Sequence, residues 1–170
     1  MTRHYTGIGV RRTPPDMLAL MTRAAFALLK RDYVLRSSHA AGADSAFERG
    51  AGTAAQIFLP ARGWRGSASP FHPEGIEPAF WARARTIAAA HHPAFAALGS
   101  FIQHLHTRNV FQVLGPMLDA PSDFVLCWTE DGEASGGTGQ AMRIAGAHGV
   151  PVYNLQRPRE RRHVETHLSL

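Results

Sequence analysis

Short apolar runs alternate with amphipathic stretches along the first part of this chain. A short apolar run bounded by turn residues is typical of a buried strand, and apolar residues spaced three and four apart are typical of a helix. The pattern predicts strands at residues 5–10, 33–37 and 56–59, and helices at 17–30 and through Phe47 to about residue 51. Strands that alternate with helices over short connections build a parallel sheet with helices on both faces.

A long helical segment separates the third predicted strand from the fourth. Helical spacing runs from about residue 77 to 114, with breaks predicted at Pro93 and near Thr107, and strands follow at 124–128 and 150–153. So long a connection lets the fourth strand return beside the first. We therefore expect a Rossmann-like, three-layer α/β sandwich with about five parallel strands in the order 3-2-1-4-5. Its ligand crevice would lie at the carboxyl ends of strands one and four, where the order reverses.

The composition fits one domain, since 170 residues with 45% hydrophobic content can close a substantial core. Lysine plus arginine number 18 and aspartate plus glutamate 13, a net charge of +5 that permits a polyanionic partner. Only Lys30 is lysine, however, and a GC-rich genome also produces such an arginine-rich composition. The single cysteine, Cys127, lies in a predicted buried strand, so we expect no disulfide or thiolate metal cluster within one chain.

The amino terminus leads directly into a strand pattern without a signal-peptide core. No apolar run reaches the roughly 18 residues that a membrane span requires. We therefore expect a cytoplasmic protein without a membrane partner. The last residues, 156–170, carry four arginines and show no apolar periodicity, so they are predicted to be a basic, mobile or surface-docked tail after a domain at 1–155.

A glycine-rich turn follows the fourth predicted strand and opens a helix. Free backbone N–H groups at a helix N-terminus, together with the helix dipole, attract anions. We therefore predict a phosphate site at this turn, with a plain strand-to-helix connection as the alternative. The residues assigned to this site are Ser135, Gly136, Gly137, Thr138, Gly139, Gln140 and Arg143.

Other candidate ligand contacts follow the remaining strands of the predicted sheet. An arginine after strand one would clamp a phosphate, and an aromatic side chain, Trp64 in a long loop or Trp128 at a strand end, would stack on a base. The sequence leaves open that these residues instead form a polar loop, cap a helix or pack in the core. The assigned residues are Gly7, Gly9, Arg11, Ser37, Ser38, Gly42, Trp128, and Arg108 and Asn109 at the predicted start of the last helix before strand four.

Two carboxylates one helical turn apart, Asp44 and Glu48, are the candidates for a general acid or base. If the protein is an enzyme, glycosidic or phosphoribosyl cleavage is the first chemistry to test. Asp44 as a helix cap, or as an acceptor from a ribose hydroxyl, is the alternative. No P-loop motif is present, and the pairs His91–His92 and His104–His106 lack the spacing of four that a helical zinc site uses. We expect neither a metal nor a cofactor.

Three segments, in this order, resemble the DNA-processing protein A (DprA) family and its relatives, the Lonely Guy phosphoribohydrolases. Residues 37–44, SSHAAGAD, are similar to the SGxAxGID stretch of DprA, and residues 108–115, RNVFQVLG, to its RNRIIxGL segment. Residues 135–141, SGGTGQA, with the strand at 150–152, are similar to its SGxLxTAxxAxxxG stretch. The resemblance implies a Rossmann fold whose partner is a nucleotide, a nucleotide-derived small molecule or single-stranded DNA.

The departures from these families restrict what is carried over. The modules that flank the Rossmann core in many DprA proteins have no room in this chain. Laid on these glycines, the Lonely Guy motif PGGxGTxxE places Gln140 where that family has threonine, and this chain has no carboxylate at the position of the family's catalytic glutamate. The phosphate-binding half of the motif remains, so we expect binding more than catalysis. A homo-oligomer is also expected, and a nucleotide that controls assembly is a third functional alternative.

Overall fold

The computed structural model describes every residue from Met1 to Leu170 and contains five strands and six α-helices. Because short apolar runs and amphipathic segments alternate, strands and helices alternate along most of the chain. The elements are β1 (Arg3–Gly7), α1 (Pro15–Leu29), β2 (Tyr33–Ser37), α2 (Ala43–Ala51), β3 (Ala55–Ile57), α3 (Pro78–Ala90), α4 (Ser100–Leu114), β4 (Phe124–Cys127), α5 (Gly136–Ala147), β5 (Val152–Asn154) and α6 (Pro158–Leu168).

All five strands are parallel and lie in the order β3-β2-β1-β4-β5, which confirms the predicted α/β topology. Tyr5 of β1 lies opposite Leu35 of β2 and Phe124 of β4, so β1 is the central strand. The connection that contains α3 and α4 carries the chain from one edge of the sheet back to its centre. The strand order therefore reverses between β1 and β4, as the length of that connection predicts.

The sheet separates two apolar cores, because successive side chains of a strand point to opposite faces. Tyr5 and Leu126 belong to the core on the side of α1, α2 and α6. Ile8 and Val125 belong to the core on the side of α3, α4 and α5. Helices on both faces leave only the strand ends free to form a binding crevice.

Helix α4 differs from its prediction because it runs unbroken across Thr107. The Thr107 hydroxyl donates to the carbonyl of Gln103 at 2.8 Å, which satisfies it inside the helix. The break lies earlier, around Pro93, where residues 91–99 form a connection. Arg108 and Asn109 are thus in the second half of α4, and the prediction that they begin a helix was wrong.

Residues 158–168, predicted as a mobile or surface-docked tail without apolar periodicity, form helix α6. Val164 and Leu168, four residues apart on one face, are 4% and 6% exposed in the core beside α1. Arg31 further fixes α6 by donating to the carbonyl of His167 at 2.9 Å. Two apolar residues among many charges are too few to show a helical period in the sequence. None of the helices is long and apolar enough to cross a membrane.

Candidate functional site

A crevice with a volume of about 300 Å³ opens at the carboxyl ends of β1 and β2, beside the N-terminus of α5. Helix α4 forms its remaining wall. The strand order reverses between β1 and β4, and the crevice reaches this point through the loop after β1 and through α5, which follows β4. Such reversals are where α/β sheets bind ligands. The residues that line the crevice are Ile8, Gly9, Val10, Arg11, Ser38, Ala40, Asp44, Leu105, His106, Arg108, Asn109, Gln112, Gly137, Thr138 and Ala141.

The N-terminus of α5 presents unpaired backbone donors to this crevice. The first helical hydrogen bond runs from the N–H of Gly139 to the carbonyl of Ser135 at 2.8 Å. The N–H groups of Gly136, Gly137 and Thr138 precede that bond and have no partner in the helix. No side chain caps them. Such groups, with the positive end of the helix dipole, favour an anionic ligand.

The glycines of the turn are needed for different structural reasons. Gly136 has a φ of +61°, which favours glycine, and a Cβ on Gly139 would lie 2.2 Å from the carbonyl of Ala134. Backbone conformation and packing therefore explain both. A Cβ on Gly137 would meet no atom within 4 Å, and Gly137 lines the crevice. No contact within the chain requires glycine at 137, whereas close approach of a ligand would.

Arg108 is the principal cation of the crevice. Its side chain projects from α4 and is only 7% exposed, yet Nε has no hydrogen-bond partner. Nη1 donates to the carbonyl of Ser38 over a long 3.4 Å, and the guanidinium lies 4.8 Å from the centre of the Trp64 ring. Burial lowers the pKa of Arg108 to about 10, against the opposing charge of Asp44, so the side chain is protonated at neutral pH.

Asp44 is the one acidic residue that lines the crevice, and it is 2% exposed at the first turn of α2. The hydroxyl of Ser38 donates to its Oδ2. Burial raises the pKa of Asp44 to about 6, although the Ser38 hydrogen bond and the charge of Arg108 favour the ionised form. The carboxylate is therefore ionised at neutral pH and gains a proton in mildly acidic solution.

The exposed Arg11 supplies a second cation at the rim of the crevice. Its loop passes close to α2 because Gly42 has no side chain: a Cβ there would lie 2.6 Å from the carbonyl oxygen of Arg11. Gly9 lines the same edge, where a Cβ would meet Ala43 at 2.6 Å. Gly42 thus shapes the crevice without lining it, and its assignment as a ligand contact is replaced by this packing role.

Three predicted ligand residues lie inside the protein instead. A Cβ on Gly7 would lie 2.6 Å from the Phe47 ring, so Gly7 faces the core. Ser37 is fully buried and donates to the carbonyl of Gly7 at 2.7 Å. Trp128 is 6% exposed in the core with α1, on the same face of its strand as Leu126. None of the three lines the crevice, because strand alternation points them elsewhere.

Gln140 and Arg143 of α5 support the crevice wall rather than face its interior. Gln140 is fully buried, donates to the carbonyl of Ala88 at 3.0 Å and accepts from Asn109 at 3.0 Å. Arg143 donates to the carbonyls of His91 and Ala134. Ser135, another predicted contact, precedes the helix and donates to Asp131 at 3.0 Å. Hydrogen bonds within the chain thus occupy these side chains.

Glu48 lies apart from the crevice lining and does not join Asp44 as a pair of catalytic carboxylates there. Its Oε2 is 2.7 Å from Nδ1 of His39, and its Oε1 is buried without a partner. His39 has a φ of +61°, a conformation that few non-glycine residues adopt. The contact with Glu48 therefore holds the loop that follows β2.

On the face of α4 that lines the crevice, the sequence predictions included Arg108 and Asn109 but missed Leu105 and Gln112. Leu105, Arg108, Asn109 and Gln112 follow the helical spacing of three and four and all line the crevice. The same spacing would have identified Leu105 and Gln112, had the helix been predicted to continue through Thr107. His106 also lines the crevice, with Nδ1 2.9 Å from Oε1 of Gln140.

No protein-family model matches this chain, and no curated protein sequence matches it. The solved structure of DNA processing protein A from Helicobacter pylori, which binds single-stranded DNA, is similar to it with a TM-score of 0.52 and 17% sequence identity. The similarity covers 89% of this chain and 64% of that protein, so this chain spans less than two thirds of its length. The fold is therefore DprA-like, whereas the resemblance to the Lonely Guy enzymes stays a prediction.

Proposed function

We propose that the crevice binds the phosphate backbone of single-stranded DNA. The observation that carries the proposal is Arg108, a charged side chain that is 7% exposed and keeps Nε without an acceptor in a crevice that the helix dipole makes positive. A buried cation without a full set of acceptors is destabilising unless a ligand supplies them. Phosphate oxygens have the charge and geometry that a guanidinium binds best.

The fold supports single-stranded DNA as the source of that phosphate. The similar protein from Helicobacter pylori binds single-stranded DNA, and this chain has the same fold across most of its length. The +5 net charge favours a polyanion. Arg11 at the rim would bind a second phosphate of the same strand, and the partly exposed Trp64 lies where an unpaired base would be held beside Arg108.

A mononucleotide is the second candidate, because the volume of about 300 Å³ suits a small ligand and Asp44 lies in its lining. With its pKa raised to about 6, Asp44 would act as the acid or base in cleavage of a glycosidic bond. Glu48 is less suited, because His39 holds its carboxylate away from the lining. If this candidate is correct, Asp44→Ala abolishes turnover of a nucleotide, whereas unchanged turnover excludes it.

Titration of fluorescent oligothymidylate with the protein tests the proposal. For two phosphate contacts, the logarithm of the association constant should fall against the logarithm of the salt concentration with a slope of about −1.4, which is about −0.7 for each contact. An unlabelled mononucleotide should compete poorly, and duplex DNA should bind more weakly than the single strand. If the mononucleotide binds tightly while the oligomer fails to bind at any salt concentration, the crevice is a nucleotide pocket and the proposal is wrong.

A further inference from the structure

One negatively charged side chain lies among the groups of the crevice that would bind a phosphate. Asp44 lines the same cavity as Arg11 and Arg108 and is ionised at neutral pH. A bare phosphate in this cavity would be repelled by that carboxylate, since like charges at short range disfavour each other strongly in a partly buried site. The crevice is therefore not built for a phosphate alone.

The carboxylate is fixed in place, which makes it a defined feature of the site. Asp44 lies in the first turn of α2, its Oδ2 accepts from the Ser38 hydroxyl, and a backbone hydrogen bond from Gly9 also favours the ionised form. An ionised carboxylate is acceptor-only and can take several hydrogen bonds, of which Ser38 satisfies one. A ligand that brings an N–H or O–H group would satisfy the carboxylate further, and its phosphate would take the free donors of Arg108 and α5.

We propose that Asp44 selects ligands that carry a hydrogen-bond donor beside a phosphate, so that the crevice binds a whole nucleotide unit of the DNA strand rather than its backbone alone. The inference rests on the proposed function and adds a specificity-determining residue to it. The donor is either the N–H of an unpaired base or the hydroxyl of a strand end. A paired thymine has already donated its N3–H to adenine, so selection of this donor also discriminates against paired thymine.

Chemically altered oligomers separate the two sources of the donor. Oligothymidylate offers one base donor, N3–H, which is absent from an oligomer of N3-methylthymidine and from an abasic oligomer. An oligothymidylate with a phosphate at both ends lacks the terminal hydroxyls and keeps its bases. We expect the loss of the true donor to weaken binding by about 10- to 100-fold, as a charge-assisted hydrogen bond implies.

Asp44→Asn supplies the matched protein variant, because the amide has the shape of the carboxylate without its charge. We expect this variant to lose most of the preference for the donor-bearing oligomer and to bind the abasic oligomer more tightly than the wild type does. Equal discrimination by both proteins in every pair of oligomers would overturn the inference. Failure of the wild type to bind any oligomer would instead overturn the proposed function on which the inference rests.

A pH titration keeps the inference testable if Asp44→Asn does not fold. The wild-type preference should fall as pH decreases through about 6, where the carboxylate gains a proton. The other ionisable groups that face this region are Arg11, His106, Arg108, and the Glu48–His39 pair. Protonation of His106 would strengthen binding of the donor-bearing and the donor-free oligomers alike, so the ratio of the two affinities reports on Asp44. A ratio that is constant across this pH range would overturn the inference.

Discussion

The guanidinium of Arg108 lies 4.8 Å from the centre of the Trp64 ring, and no other aromatic side chain is in such contact with it. A cation over an indole face is stabilised by the ring quadrupole without an anionic partner. Trp64 therefore helps to keep Arg108 oriented while leaving Nε free. The long loop between β3 and α3 thus contributes to the crevice through Trp64, which orients Arg108 in addition to the stacking on a base proposed above.

Replacement of Trp64 should weaken DNA binding through Arg108. We expect Trp64→Ala to lower the affinity for oligothymidylate by about 2- to 30-fold, the range of a cation–π contact. Trp64→Phe should retain part of the affinity because it keeps an aromatic face. Fluorescence anisotropy measures both, and equal affinities for Trp64→Ala and the wild type would contradict the positioning role.

Alanine variants of two glycines in α5 should distinguish an effect on ligand binding from an effect on stability. A Cβ on Gly137 or on Gly146 meets no atom within 4 Å, but only Gly137 lines the crevice. Both Gly137→Ala and Gly146→Ala should stabilise the helix by up to about 1 kcal/mol, because alanine has the higher helix propensity. Only Gly137→Ala should weaken DNA binding. If Gly137→Ala binds as tightly as its Gly146 control in parallel titrations, close approach at 137 is not required.

Asp44 should make stability depend on pH. Its folded-state pKa of about 6 lies above the ordinary value of 3.8, so the folded protein binds the proton more tightly than the unfolded chain does. This contribution to stability is fully present below about pH 4 and is lost as pH rises through about 6, amounting to about 3 kcal/mol. Urea unfolding of the wild type and Asp44→Asn between these values measures it. The free-energy difference between the two proteins should change with pH in this window; a constant difference would contradict the raised pKa.

Helix α6 should matter for stability rather than for the crevice. Leu168 is 6% exposed in the core with α1, and its truncation to alanine should cost about 2–3 kcal/mol of unfolding free energy. Thr166→Ala, on the exposed face of the same helix, should cost far less. Chemical denaturation compares the two. A negligible loss for Leu168→Ala would show that α6 does not pack as described.

The sheet could be predicted because its determinants are local. Each strand is a short apolar run bounded by turn residues, and the long connection through α3 and α4 determines the strand order. Helix α6 could not be predicted in this way, since Val164 and Leu168 are its only buried residues. Their helical structure depends on a partner, α1, that is distant in the sequence.

The crevice was predicted in part, for similar reasons. Loops at strand ends must meet at one edge of a parallel sheet, so Gly9, Arg11 and Ser38 line the crevice as expected, and their contact with a ligand stays a prediction. The inward direction of Trp128 follows from its spacing of two from Leu126, and the alternation of strand side chains would have indicated it. Gln140 is different: its partner, the carbonyl of Ala88, lies 52 residues away, and no local pattern indicates that contact.

The proposed contact between Arg108 and a DNA phosphate can be tested by comparing the DNA binding of arginine variants. Oligothymidylate binding should be measured for the wild type, Arg108→Gln, Arg108→Lys and Arg83→Gln, the last being an exposed arginine on α3 outside the crevice. Circular dichroism and melting confirm that each variant is folded.

We expect Arg108→Gln to lower the affinity by about 10- to 100-fold, the range of charge-assisted hydrogen bonds, and to make the salt dependence shallower by one contact. Arg108→Lys should recover part of the affinity, because it restores the charge without the planar fork. Arg83→Gln should leave the affinity within about twofold, as for an exposed charge that is far from the ligand. A folded Arg108→Gln variant that binds as tightly as the wild type, with an unchanged salt dependence, would contradict the account.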